Sequence, residues 1–396
     1  MSSNRPFWLR AMTQPGAWVF AVMFTVESLA RSTLATVIPL QAYELLREAR
    51  DVSVLFFAVA VVGLAAGFAI PLLIRRFRRR WVYSFGVALL IIASALLATG
   101  TMAGQVGGML ARTLSGAATN ITLMLYVMDY IRRKDLVHSE PLRMSLSAAA
   151  WAGGPALTGL LRDRIGPWAP ELLSGASAAV LLVYFWYLRI QENPAVAAAT
   201  RPPPDPIRSI GRFLAQPRLR LAWLIVFTRS SWWAMFYVFP LVYMVQTGVG
   251  ELAGTLLLSA GNAVLIVAPL IGRLAARFGL RRPIIGAYLV GGGFTMLAGV
   301  LFDFPIAVAL CLFGAAAFGT MILDSIGGIP FLRSVHPYER PQMTTVFRTY
   351  IDMSELVPAG VFSLLLSFFD LNAVFYASGA WMLAMALVAR HLPRSM

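Results

Sequence analysis

The sequence predicts an all-α integral membrane protein in which twelve transmembrane helices form two six-helix, pseudo-symmetric bundles. Three observations carry that prediction. Of 396 residues, 59% are hydrophobic and only 13% charged, where a soluble chain has about 45–50% apolar residues. Apolar runs longer than the roughly 18 residues that mark a spanning helix recur along the chain. A short basic signature also recurs: LIRRFRRRW, Leu73 to Trp81, returns as LAARFGLRR, Leu274 to Arg282, each after the second apolar run of its half. Lipid cannot hydrogen-bond the backbone, so each run must be helical or belong to a closed barrel. Barrel strands alternate over about 10 residues, and these runs are continuous and about twice as long, so helices are expected.

In chain order, span 1 is expected from about Ala17 to Leu40, span 2 from Val52 to Ile74, span 3 from Trp81 to Ala103 and span 4 from Val106 to Ile131. Span 5 follows from Met144 to Leu161 and span 6 from Pro170 to Ile190. Glu27 and Arg31 inside span 1, and its length, argue against a cleaved signal peptide. The polar, proline-rich stretch 191–218, with RPPPDP at Arg201 to Pro206, is the one good linker. It separates an N-terminal bundle, 1–190, from a C-terminal bundle, 219–396. Within the linker, SIGRFL (Ser209 to Leu214) is expected to form a short helix on the membrane surface. Spans 7 to 9 run from Leu219 to Val245, Leu252 to Ala275 and Pro283 to Phe302. Spans 10 to 12 run from Pro305 to Leu332, Met343 to Phe369 and Leu371 to Leu392.

The net charge of +15 comes almost wholly from arginine; Lys134 is the only lysine. The arginines gather in alternate loops, which argues against nucleic acid as the partner and marks membrane topology. Arg75 to Arg80, Arg132, Arg133, Lys134, Arg143, the linker, Arg277, Arg281, Arg282, Arg333 and Arg340 fall on one side with both termini. The positive-inside rule makes that side the cytoplasm, and an even number of spans in a plasma (inner) membrane follows. Cys311 stands alone, so no intrachain disulfide or thiolate metal cluster is expected.

The halves repeat beyond the basic loop. Leu114 to Ala118 (LSGAA) matches Leu312 to Ala316 (LFGAA), HSEPLR (His138 to Arg143) matches HPYER (His336 to Arg340), and Pro155 matches Pro358. Repeats six spans apart are parallel repeats about an axis along the membrane normal. Over nearly its whole length the chain thus resembles the major facilitator superfamily of secondary transporters. That family's loop between helices 2 and 3 reads roughly G-x-x-x-D-R-x-G-R-R. Arg76, Phe77, Arg79 and Arg80 fit, but Arg75 replaces the acid and Arg78 the glycine; the second copy keeps Gly279 and has Ala276 for the acid. Arg112 and Gly116 resemble the family's R-x-x-x-G motif. GGPALTG (Gly153 to Gly159) resembles the G-P-x-x-G-G motif of exporters, with Thr158 replacing one glycine. The resemblance implies two halves rocking about a midplane site, with a drug/proton antiporter-like activity.

Charge inside a membrane helix costs roughly 2.5–3.5 kcal/mol on insertion scales and is a functional candidate by default. Glu27 and Arg31 share a face at i, i+4 spacing, and Arg112 enters span 4 at a similar depth. Glu27 is expected to carry proton coupling or to bind substrate; a structural Glu27–Arg31 pair is the competing reading. Glu355 is the second proton-coupling candidate. Arg229, about 13 Å from the inner edge, is level with Asp352 on span 11, so a pair between them is open. Arg348 and Asp352 are also spaced to pair with each other. Substrate-binding candidates are Arg31, Arg112, Asn120, Arg229, Trp232, Tyr237 and Asn262; for the polar and aromatic members, helix packing is the competing use. Arg76, Asp129, Arg277, Asp324, Arg348 and Asp352 are candidates for gates or ion pairs.

No Walker-type phosphate loop, H-E-x-x-H, paired-cysteine spacing or G-x-S-x-G occurs, so neither catalytic residues nor a cofactor or metal are expected. The expected partners are a small-molecule substrate, protons and the lipid bilayer, and a monomer is expected. Proton-coupled export of a small organic or amphipathic compound is the leading reading. An importer of a small anionic nutrient, a lipid flippase and a non-transporting scaffold of the same fold are the alternatives.

Overall fold

The computed structural model describes residues 17–130, 136–188, 206–267, 279–335 and 340–393, and every regular element among them is a helix. Arg132 to Lys134, most of the linker, Arg277 and His336 lie outside the described residues. The chain separates into two compact units, Met1–Leu45 with Val59–Arg201, and Leu46–Ala58 with Pro202–Met396.

In the first part of the chain the helices are α1 (Ala17–Leu46), α2 (Ala49–Arg76), α3 (Arg79–Leu97), α4 (Met102–Tyr130), α5 (Leu136–Arg164) and α6 (Ala169–Tyr187). They match spans 1 to 6. HSEPLR, expected in a loop, belongs to α5 instead. His138, Ser139 and Glu140 are not helix breakers, and Pro141 removes only one backbone donor near the start. The turn between α3 and α4 falls at 98–101, earlier than expected, where Gly100 adopts φ 63°. In the first unit, α3 packs against α4 and α6. Gly86 permits the first contact, since a Cβ there would stand 2.9 Å from Ala118 and Thr119. Polar side chains tie the bundle where apolar contacts alone would not specify it. Gln41 Nε2 donates to the Leu97 carbonyl at 2.8 Å, and Gln105 Nε2 to the Ile38 carbonyl at 3.0 Å. Ser94 donates to Ser174, which donates to the Ala30 carbonyl, joining α3, α6 and α1.

Beyond Leu46–Ala58, the second unit continues with a short helix where one was expected, α7 (Pro206–Ala215). Phe213 anchors it, buried in a cluster with Leu219, Ala222, Phe331, Met343 and Phe347, while Ile210 and Leu214 remain exposed. Next come α8 (Pro217–Gln246), α9 (Glu251–Ala263, tightening into a 3₁₀ turn at Val264–Val267) and α10 (Arg281–Val300).

Spans 10 and 11, expected as single helices, are interrupted. The first divides into α11 (Pro305–Ala315), a π turn (Ala316–Thr320), α12 (Met321–Ile326) and, after Gly327 and Gly328, α13 (Ile329–Ser334). Two successive glycines each weaken a helix by about 1 kcal/mol relative to alanine. The second divides into α14 (Arg340–Arg348) and α15 (Tyr350–Leu365), with Thr349 between. Thr349 Oγ1 donates to the Val346 carbonyl and accepts Trp223 Nε1, so the interruption is held by side-chain bonds. The last helix is α16 (Asn372–Val388).

Two of the three glycines at 291–293 serve close packing. A Cβ on Gly291 would stand 2.7 Å from Met382 and one on Gly292 3.0 Å from the Gly379 carbonyl, whereas Gly293 meets nothing within 4 Å. The π turn presses on the same place: a Cβ on Gly319 would lie 2.6 Å from the Gly291 Cα. That neighbour is backbone and cannot swing away. Gly319→Ala is therefore expected to destabilise the detergent-solubilised protein by about 1–3 kcal/mol, and Gly293→Ala to leave its thermal midpoint nearly unchanged.

Among the described residues, six stretches are long and apolar enough to cross a membrane: 18–46, 79–97, 169–187, 281–300, 305–334 and 372–391. The other predicted spans correspond to α2, α4, α5, α8, α9 and α15. Several of these carry charges within the helix, such as Arg112 in α4 and Arg218, Arg220 and Arg229 in α8.

Candidate functional site

Each unit contains one cluster of charged side chains deep in its helices. In the first unit the cluster forms between α1 and α4. Glu27 is fully buried. Its Oε1 accepts a hydrogen bond from Thr119 Oγ1 at 2.7 Å and faces Arg31 Nη1 at 3.5 Å. Arg31 Nη1 also donates to Asn120 Oδ1 at 3.3 Å. Among the described residues, Glu27 Oε2 is buried with no hydrogen-bond partner. The arrangement brings together three sequence candidates, Glu27, Arg31 and Asn120. Thr119 was missed, although it adjoins Asn120 on the same helix.

Small residues make room for this cluster. A Cβ on Gly116 would come within 3.3 Å of Arg31 Nη2, so the glycine of the R-x-x-x-G motif clears the space the guanidinium occupies. Arg112, one turn away, is half-buried. In the GGPALTG stretch, a Cβ on Gly154 would collide with Ser32 Oγ at 2.0 Å. Ser32 donates to the Ala150 carbonyl and Ser28 bonds Ser147 at 2.8 Å. The exporter-like motif therefore sits where α5 meets α1, on the turns that carry Glu27 and Arg31.

In the second unit the cluster centres on Arg229 of α8. Its Nη1 pairs with Asp324 Oδ1 of α12 at 2.9 Å, its Nη2 donates to Ser230 Oγ, and its guanidinium lies 5.7 Å from the Tyr350 ring centroid. The other carboxylate oxygen, Asp324 Oδ2, accepts Trp233 Nε1 at 2.9 Å. The partner of Arg229 is thus Asp324, where the sequence left a pair with Asp352 open, and Asp324 is an interior partner. The π turn just before α12 alters which face Asp324 presents, which a regular helical count cannot capture.

The remaining candidates are placed as follows. Tyr237 donates to Asn262 Oδ1 at 2.6 Å, and Asn262 Nδ2 donates to the Leu258 carbonyl. Trp232 is buried, stacks on Phe236 and donates to Thr295 Oγ1, so it packs α8 against α10. Its neighbour Trp233 is the indole that reaches the charged pair. Arg348 is exposed and Asp352 half-buried, and no ion pair joins the two among the described residues. Glu355 is exposed and has no ion-pair partner among the described residues. Arg76 is exposed at the end of α2; the side chain of Asp129 and all of Arg277 lie outside the described residues.

No group of three or more metal-binding side chains gathers among the described residues. Long helices enclosing charged, hydrogen-bonded side chains are the frame of a membrane carrier, and comparison with known proteins agrees. The profile of the Major Facilitator Superfamily matches residues 20–350. Among solved structures, a mutant form of the nucleoside transporter NupG superposes with a TM-score of 0.72 at 12% identity, covering 94% of this chain and 98% of that one. A peptide transporter POT in complex with sulfate gives a TM-score of 0.72 at 14% identity, covering 98% and 95%. The same transporter in a mutant form with alafosfalin gives 0.71 at 16% identity, covering 98% and 95%. No curated protein sequence matches the chain. The chain is an integral membrane protein that belongs to the Major Facilitator Superfamily.

Proposed function

We propose that this protein is a proton-coupled secondary transporter of a small organic compound, working by alternating access, with Glu27 as the coupling group. The observation that carries the reading is the Glu27 cluster: a fully buried carboxylate, held by Thr119 and Arg31 through one oxygen and unbonded through the other. Arg31 is the only counter-charge within ion-pair distance of this carboxylate among the described residues. In this reading, substrate or movement of α1 against α4 separates Glu27 from Arg31, and proton exchange at Glu27 accompanies that separation.

The GGPALTG stretch beside the cluster favours export. A second reading, import of a small polar or anionic nutrient, is favoured by Arg31 and Arg229, whose guanidiniums suit a carboxylate or phosphate, and by the shared fold with nucleoside and peptide transporters. A cytoplasmic location of both termini follows from the arginine distribution.

Sealed vesicles carrying the full chain and an entrapped pH-reporting dye test the proposal. They are challenged with nucleosides, dipeptides, small carboxylates and lipophilic cations. At least one class is expected to move protons across the membrane, and the sign of the pH change separates export from import. A panel that moves solute with no accompanying proton flux would refute the coupling.

A further inference from the structure

The basic stretch where α2 gives way to α3 has a second feature. Five of the six residues from Arg75 to Arg80 are arginines. Arg76 and Arg78 are exposed, and Arg79 and Arg80 are half-buried. Among the described residues, Arg76, Arg78 and Arg80 have no carboxylate within ion-pair distance. The charge is organised, not merely dense. The Arg80 guanidinium stands 5.4 Å from the Trp81 ring centroid and 5.5 Å from that of Trp186 at the end of α6. The two indoles meet edge to face at 5.4 Å, and Trp186 Nε1 donates to Ser84 Oγ at 3.1 Å, which fixes the second ring.

Both indoles are nonetheless open, 52% exposed for Trp81 and 41% for Trp186, and Phe77 beside them is 51% exposed. They stand at the ends of two membrane-spanning helices. Tryptophan at such a position sits at headgroup level, with its ring toward the acyl boundary and its N–H toward the polar side. A guanidinium held between two such rings lies at the depth of a lipid phosphate. Clusters of arginine next to a membrane helix attract anionic headgroups, and among the described residues Arg76, Arg78 and Arg80 have no carboxylate to offset their charge.

We propose that Arg78, Arg80, Trp81 and Trp186 form a binding site for the phosphate headgroup of an anionic phospholipid, with the open indole faces and Phe77 covering the start of its acyl chains. The arginines at the positions of the family's acid and glycine, Arg75 and Arg78, give this loop its excess charge. The site is independent of the substrate and of the direction of transport.

Native mass spectrometry of the detergent-solubilised full chain, titrated with phosphatidylglycerol or phosphatidylcholine, tests this. Wild type is expected to retain phosphatidylglycerol preferentially. Each arginine near a headgroup contributes about fivefold, so Arg78→Gln/Arg80→Gln is expected to lower the preference by more than tenfold. Arg78→Gln alone, at an exposed position making no side-chain capping bond, is expected to lower it about fivefold without endangering the fold. Trp186→Leu keeps every charge and is expected to weaken retention as well. Arg281→Gln/Arg282→Gln removes two arginines at the start of α10 without such a tryptophan pair, and is expected to leave the preference intact. Equal retention of the two lipids by wild type would overturn the proposal. An equal loss in the Arg281/Arg282 variant would overturn it too, because the preference would then be diffuse charge attraction.

Discussion

Asp324→Ala is expected to destabilise the protein by about 3–5 kcal/mol, the range for removing one partner of a buried ion pair. Without Asp324, the Arg229 guanidinium keeps only the Ser230 hydroxyl and the Tyr350 ring face, and Trp233 Nε1 loses its acceptor. Both side chains of the pair are largely enclosed, 15% and 21% exposed, so water compensates little. The thermal midpoint in detergent is the readout. Arg229→Met/Asp324→Leu removes both charges and fills the space, a change that is often neutral in stability. If the pair serves only the fold, this double variant regains both stability and transport. If Arg229 also meets substrate, it regains stability alone. A small effect of Asp324→Ala would mean that the pair is solvated in the membrane.

Glu27→Gln is expected to abolish the response of transport to an imposed pH gradient, a loss of at least about tenfold in gradient-driven flux, equivalent to about 1.4 kcal/mol. Glutamine preserves size and can still accept from Thr119, so the helix contact survives. It cannot take up or release a proton, and it leaves Arg31 without its counter-charge. Solute exchange with no pH gradient should persist at a measurable rate, which separates lost coupling from lost folding. Equal pH dependence in wild type and variant would remove Glu27 from the coupling step. Because Glu355 is exposed, Glu355→Gln is the natural comparison and is expected to have the smaller effect.

Much of this architecture could be read directly from the chain. Apolar runs gave the helices, because a lipid-embedded backbone has few alternatives, and the i, i+4 spacing of Glu27 and Arg31 gave one cluster, because both residues lie on one regular helix. The second cluster was harder to read. Counted from Leu332, Asp324 lies about 12 Å inward, as level with Arg229 as Asp352 is. Depth could not choose between the two acids; the direction each side chain faces could. That direction depends on the π turn at Ala316–Thr320, which has no sequence mark of its own beyond a run of small residues. Trp232 and Trp233 posed a similar difficulty. Adjacent residues point about 100° apart on a helix, and composition does not say which of two tryptophans faces the charge.

The interruption at Thr349 also bears on how the two halves diverged. From His138 to Pro155 there are 17 steps (155 − 138), and from His336 to Pro358 there are 22 (358 − 336), so the second copy carries five more residues in that interval. In an unbroken helix, five extra residues rotate everything beyond them by about 140° and advance it by about 7.5 Å. Thr349 lies inside the interval, while α5 runs without a break from Leu136 to Arg164. The matched motifs thus survive in both halves with five more residues between them in the second. A chimera that exchanges equivalent segments of the two halves must place its joints outside 138–155 and 336–358, so that the unequal intervals move as units.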